Sequence, residues 1–238
     1  MGAKSPQIAG PVTSRSPLRY PGGKFRARRV LDSFLPADVS TVLSPFVGGG
    51  SYELHLTSRG VRVTGYDVFV PLVNFWEVLL SSPGEVAEEV ERLRPMGREA
   101  FRVFQKDLSK RDGVSGVVAA AKFFAVNRAS FSGATLSGGY SAVAERERLT
   151  DSAVERVREF RNPLLSVRRG HFADTVRGGF DLVFADPPYW LEGAANKLYG
   201  VAGSLHEDFD HGKFHEAITA VESPWLVTYN DCEQVREL

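Results

Sequence analysis

The sequence predicts an α/β fold in which a parallel sheet is interrupted, between its second and third strands, by a mostly helical insertion. Three observations predict it. Two apolar, β-branched runs at residues 39–46 and 61–68 flank Gly48, Gly49 and Gly50, with room for a helix at residues 52–58. That is the strand, tight turn, helix, strand order of a parallel pairing. After Asp67 the apolar period turns helical and stays so through residue 163. Sheet character then returns at residues 165–172, 180–185 and 225–229, with a helical stretch at 209–221 before the last run.

Each segment has its own warrant. Residues 1–17, with glycine, serine and three prolines, read as a flexible arm, and order is expected from Leu18. Residues 18–80 and 165–238 supply the strands of a core, and residues 81–164 form the insertion. A length of 238 residues suits one α/β domain of this kind. The 43% hydrophobic and 24% charged composition is that of an ordinary globular chain. No apolar run nears the roughly 18 residues that span a bilayer, and no signal or lipidation motif is visible. An intracellular protein, cytoplasmic or nucleoid-associated and without a membrane partner, is expected. The lone Cys232 allows neither an internal disulfide nor a thiolate metal site. His206, His211 and His215, interleaved with Glu207, Asp208 and Asp210, fit no zinc spacing, so no metal is expected.

A formal net charge of zero argues at first against an anionic partner. Its distribution argues the other way. Residues 1–30 carry Lys4, Arg15, Arg19, Lys24, Arg26, Arg28 and Arg29 and no acid. A solvated tail accounts equally well for Lys4 and Arg15, whereas the bases from Arg19 onward border a motif.

Chemistry concentrates in four places. Asp186-Pro187-Pro188-Tyr189 follows directly on the apolar run FDLVFA. An acid and two rigid prolines at the carboxyl end of a parallel strand stand where open α/β sheets place ligands. The plain alternative is a Pro-Pro turn whose acid caps a helix. Ser44-Pro45-Phe46-Val47-Gly48-Gly49-Gly50-Ser51 is a glycine-rich turn after the first strand, suited either to a nucleotide or to a tight bend. Asp67 ends the second strand about twenty residues past the glycines, where such sheets put an acid on ribose hydroxyls, unless it caps the helix at Pro71. Leu18-Arg19-Tyr20-Pro21-Gly22-Gly23-Lys24 combines glycines, which permit close backbone approach, with a lysine.

In this order, with Asp-Pro-Pro-Tyr after a long insertion, the motifs resemble the alpha group of adenine-specific, amino-methylating DNA methyltransferases. The resemblance covers residues 18–238. It implies a Rossmann-like core that binds S-adenosylmethionine and methylates the exocyclic amine of an adenine flipped from double-stranded DNA. Asp186 would be the principal acceptor for that amine, the Pro187 carbonyl the second, and Tyr189 the stacking platform beyond Pro188. Pro45, Phe46, Gly48 and Gly50 match the cofactor loop. Asp67 matches the ribose acid, and Asp174 the acid on the cofactor's adenine amino group. Tyr20, Gly22, Gly23 and Lys24 match the segment that folds back over the cofactor, with Lys24 meeting its carboxylate or a DNA phosphate. Two departures stand out: many relatives carry an acid where this chain has Ser44, and an Asn where it has Phe69.

The same resemblance makes the insertion a target-recognition domain. Asn127 and Arg128 would contact phosphate or base, Phe131 would fill the gap left by the flipped base, and residues 132–141 would form a loop that orders on DNA. Arg26, Arg28 and Arg29 would meet phosphates. Residues 225–231 resemble the family's fifth strand, whose Tyr229-Asn230-Asp231 end frames the adenine pocket. Relatives continue through a further helix and strands, so pairing of this edge with a second copy or a separate carboxyl-terminal partner is expected. Two other readings stay open: methylation of RNA or a free nucleobase, and a non-catalytic DNA-binding subunit that keeps the fold.

Overall fold

The computed structural model describes residues 12–110, 115–190 and 209–238. Among them, β1 (Thr41–Ser44), β2 (Arg62–Asp67), β3 (Leu165–Arg169), β4 (Leu182–Ala185) and β5 (Trp225–Val227) form one parallel sheet. The strand order is β3-β2-β1-β4-β5. Chain direction across the sheet therefore reverses between β1 and β4, and in such a fold the carboxyl ends beside that switch point open a crevice. The helices in chain order are α1 (Arg28–Asp32), α2 (Ser51–Ser58), α3 (Val70–Ser81), α4 (Pro83–Arg92), α5 (Gly97–Leu108) and α6 (Gly116–Ala129). They continue with α7 (Ala142–Arg148), α8 (Asp151–Arg158), α9 (Phe172–Thr175), α10 (His211–Thr219) and α11 (Glu233–Arg236).

The central strands are buried on both faces, as a parallel sheet requires. Val42 of β1 with Leu182 and Phe184 of β4 joins one core, while Leu43, Val183 and Ala185 join the other. The period of two along each strand sends alternate side chains to opposite layers. The first layer is large, because α3, α4, α5, α6 and α8 pack into it. Phe101, Phe124, Val154 and Val157 belong to the same buried cluster as Val42 and Val63. The helices between β2 and β3 thus share the core of the sheet rather than forming a second one. The other layer is made by Phe172, Phe214 and Ile218 under α9 and α10.

Each strand is shorter than the run that predicts it. The clearest case is the third, where sheet character was expected to reach Phe172. His171 Nδ1 instead accepts the Ala173 N–H at 3.3 Å and turns the chain into α9. β5 lies at the sheet edge with Trp225 47% exposed.

Two expectations for the insertion and its approach need correction. Order begins before Leu18: the Thr13 N–H donates to the Arg161 carbonyl at 2.8 Å, and the Arg161 N–H returns a bond to Thr13 Oγ1. In the stretch 132–141, Gln105 Nε2 donates to the carbonyls of Thr135 and Gly138 at 2.7 Å each. Asn127 is the larger correction. Its side chain is fully buried, Oδ1 accepts the Arg19 N–H at 2.9 Å, and Nδ2 donates to the Arg19 carbonyl at 2.7 Å and to Thr135 Oγ1 at 3.0 Å. It is committed to pinning the segment before Tyr20 to α6 and has no surface to offer DNA. Gly133 completes the clamp, because a Cβ there would lie 2.1 Å from the Arg19 carbonyl oxygen. Asn127→Ala should therefore destabilise the fold by roughly 2–3 kcal/mol, the cost of stranding buried backbone groups, seen as a lower unfolding midpoint in denaturant. An unchanged midpoint would return Asn127 to a surface role.

Candidate active site

Four turns converge at the carboxyl ends of β1, β2 and β4 and enclose a cavity of about 240 Å³. The first is the glycine loop after β1. Gly48 and Gly50 have left-handed backbones, with φ of 49° and 64°, which glycine adopts without strain. Side chains at the other two faces leave no room either: a Cβ on Gly49 would meet Tyr20 Cβ at 2.4 Å, and one on Gly50 would meet the Trp76 ring at 2.8 Å. Trp76 Nε1 donates to the Gly48 carbonyl at 3.0 Å, and the Gly48 N–H donates to Asp67 Oδ2 at 3.0 Å. The loop is thus held from behind by α3 and by the end of β2.

Asp67 lines the cavity and also accepts the Phe69 N–H at 2.9 Å. Burial raises its pKa, and the backbone donors at Phe69, Gly48 and Val68 oppose the rise. Phe46 lines the wall and packs against Phe214, Phe209 and Phe172 at centroid distances of 5.4, 5.7 and 5.9 Å. Pro45 is buried and does not line the cavity. Asp174 stands exposed outside it, because α9 turns it away; His171 and Phe172 of the same turn line the cavity instead.

Tyr20, Gly22, Gly23 and Lys24 close the opposite side, each of them in the wall. The Lys24 N–H donates to Ser51 Oγ at 2.7 Å, tying this segment to the start of α2. Lys24 Nζ reaches across the cavity to Asp186 Oδ2 at 2.6 Å and also donates to the Gly22 carbonyl at 2.7 Å. It lies 4.9 Å from the Tyr189 ring centroid, within cation–π range. Asp186 is held at its other oxygen by Thr228 Oγ1, which donates to Oδ1 at 2.5 Å. Desolvation raises the Asp186 pKa, while Lys24, Thr228 and Tyr189 pull it back. Pro187, Pro188 and Tyr189 complete the wall after β4, and Tyr189 lies 6.1 Å from Tyr229 beyond β5.

Three wall or support residues escaped sequence reasoning. Thr228 follows β5 directly, a position that marks it only once strand order is known. His171 is another, placed by the turn that ends β3 early. Glu53 is the third: its side chain is 3% exposed, lines the cavity and accepts from Ser44 Oγ at 2.7 Å. Ser44 was the visible departure from the family pattern, and the carboxyl group it faces comes from α2.

The predicted DNA-contacting residues lie elsewhere. Arg128 is half-buried, donating from Nε to the Arg148 carbonyl at 2.7 Å. Burial, with Arg156, Arg19 and Arg148 close by, holds its pKa down to about 10. Among the described residues no carboxylate pairs with any of these four arginines, so they make one positive patch. Phe131 is 70% exposed. Arg26 and Arg29 are exposed, while Arg28 donates to the Phe25 carbonyl at 2.6 Å and stacks on its ring at 4.1 Å. A groove lined by Arg15, Arg19, Phe25 and Ser132 shares Tyr20 and Gly23 with the cavity. His206 lies outside the described residues, and among those described no three histidine, cysteine or acidic side chains converge as a metal site. No helix there is long and apolar enough to cross a membrane.

A search of curated proteins returns no match. A family model does match, over residues 20–238, from the tyrosine that closes the cavity to the last residue. Its description agrees with an acid, two prolines and a tyrosine at the end of β4 facing a glycine loop: the chain belongs to the D12 class of N6 adenine-specific DNA methyltransferases.

Proposed function

We propose that the cavity holds S-adenosylmethionine and that the enzyme methylates an adenine flipped out of duplex DNA. The observation that carries this reading is the Lys24 ammonium, a nitrogen held by Asp186 and set near the face of Tyr189. An extruded adenine would use the same two contacts, its amine on the carboxylate and its ring on the tyrosine. Binding of the base therefore displaces Lys24 toward the Gly22 carbonyl it already touches.

The residues present fit S-adenosylmethionine. Left-handed glycines let backbone approach it, Asp67 keeps lone pairs for ribose hydroxyls because a carboxylate has about four acceptor sites, and the Phe46 cluster gives an apolar wall. From the turn after β3, His171 and Phe172 rather than Asp174 are assigned to the cofactor. When bound, the cofactor supplies a methyl group on a sulfonium that departs as a neutral thioether. The chain does the rest. An exocyclic amine donates its lone pair into the ring and is a poor nucleophile. Asp186 and the Pro187 carbonyl, as two fixed acceptors, favour a pyramidal nitrogen aimed at the methyl carbon. Thr228 fixes the Asp186 rotamer by holding its other oxygen.

Duplex DNA is assigned to the positive patch of Arg19, Arg128, Arg148 and Arg156 and the adjoining groove, with Arg26, Arg28 and Arg29 beyond it on the same chain segment. Phe131, large and exposed, is assigned to the space the flipped base leaves. The helices between β2 and β3 that carry this patch act as the target-recognition element. The edge at β5, with Trp225 exposed, is assigned to pairing with a second copy of the chain.

Three outcomes test these assignments. Asp186→Ala should remove methyl transfer, a loss of roughly 3 kcal/mol or more in barrier, while cofactor affinity by calorimetry stays within about tenfold; retained turnover above a few per cent would refute the acceptor role. Tyr189→Phe should keep most activity, whereas Tyr189→Ala should lose roughly 1–3 kcal/mol of base binding, measured with an abasic or mismatched target as reference. Replacing Arg148 and Arg156 with alanine should weaken binding to every DNA sequence alike and lower the slope of log affinity against log salt by about 2. Equal slopes would mean that the patch does not meet phosphate.

A further inference from the structure

We propose that Glu53 is the counter-charge for the sulfonium of the methyl donor, and so the residue by which the site prefers donor over demethylated product. The proposal rests on the reading of the cavity as the S-adenosylmethionine site. Its ground is the charge balance of the wall. Lys24 and Asp186 neutralise each other at 2.6 Å. Asp67 spends bonds on the backbone N–H groups of Gly48 and Phe69. Among the described residues no cation is bonded to Glu53: its carboxyl accepts from the neutral Ser44 hydroxyl and from its own backbone N–H, and the charged groups it feels are Asp186 and Lys24.

The donor carries an ammonium, a carboxylate and a sulfonium, a net single positive charge, whereas the product thioether has lost the sulfonium. A cation enters a buried site at high cost unless an anion meets it there. The sulfonium must sit one methyl group away from the amine that Asp186 receives. Glu53 shares the cavity wall with Asp186, whose charge raises its proton affinity. Burial first, then Asp186, pushes Glu53 up to about 7 against the opposing effect of its own backbone N–H, Ser44 and Lys24. Near neutral pH the empty site therefore holds Glu53 partly protonated. A neighbouring cation favours its ionised form, so donor binding expels a proton to solvent, and loss of the methyl lets the proton return.

Calorimetry with S-adenosylmethionine and S-adenosylhomocysteine, in buffers of differing ionisation heat, tests this through binding alone. The donor should bind the wild-type protein about tenfold more tightly at pH 8 than at pH 6, with proton release, since affinity follows the ionised fraction of a group titrating near 7. The homocysteine product should show no such step. Glu53→Gln should abolish the step and the preference for donor at pH 8. Ser44→Ala, which removes a bond favouring the carboxylate, should move the midpoint of the step to higher pH; a purely structural serine would leave it in place. A step retained in Glu53→Gln, or shared equally by the product, overturns the proposal while leaving the donor reading intact. Failure of the wild-type protein to bind the donor at either pH overturns both.

Discussion

The site depends on one half-buried ion pair. Lys24 stands before the first strand and Asp186 after the fourth, and their contact at 2.6 Å joins segments 162 positions apart in the chain. A half-buried pair of this kind adds little to stability, because the desolvation of the two charges offsets much of their attraction. What makes it tolerable is the number of neutral partners around it. Thr228 donates to one carboxylate oxygen, the Gly22 carbonyl accepts a hydrogen bond from the lysine ammonium, and Ser51 Oγ accepts from the lysine backbone N–H. A pair balanced so closely is exchangeable. In the proposed exchange an adenine amine takes the place of Lys24 on Asp186, while the ammonium keeps its bond to the Gly22 carbonyl and stays in the wall.

That exchange works only if the strand ends are fixed. The order β3-β2-β1-β4-β5 sets Ser44, Asp67, Asp186 and Thr228 just at or past the ends of four neighbouring strands. The loop between the first two is braced by Trp76 and Asp67 rather than by the ligand. On the far side Asn127 and Gly133 grip Arg19, so the segment that carries Tyr20 and Lys24 is positioned from the helical insertion. The helical insertion and the segment that closes the cavity are consequently one packed unit.

The sequence announced the parts that follow backbone rules and hid those that depend on neighbours. The strands were legible because they are apolar and bounded by glycine or proline, and the helical interruption because its period is unmistakable. Asp186 and the glycine loop were legible because their chemistry needs contiguous residues. Asn127 was misread as a DNA contact, since the letters Asn-Arg before a glycine look alike whether the amide faces solvent or a buried backbone; only the 108-residue separation of its partner Arg19 explains it. Asp174 stands outside the cavity because α9 begins at Phe172, where the Ala173 N–H donates to His171 Nδ1, a local bond that no motif announces. Glu53 and Thr228 gave no motif at all. Their importance arises from strand order, which brings α2 and β5 to the same carboxylate.

Glu53, Asp67 and Asp186 share one wall, and burial raises the pKa of all three. A carboxyl raised in the folded state favours folding in its neutral form. That contribution is whole below the unfolded pKa and is lost as pH rises through the folded value; for Glu53 the window runs from its ordinary 4.5 to about 7. At neutral pH the ligand-free site therefore holds unfavourable electrostatic energy, concentrated where a cationic cofactor would relieve it. Binding then stabilises the fold by more than its contacts alone, because it also removes repulsion already present. A core of plain apolar residues at these positions would make a more stable protein and leave no charge for the sulfonium or the amine to meet. Stability forgone at three carboxyls is the physical form that the catalytic requirement takes in this chain.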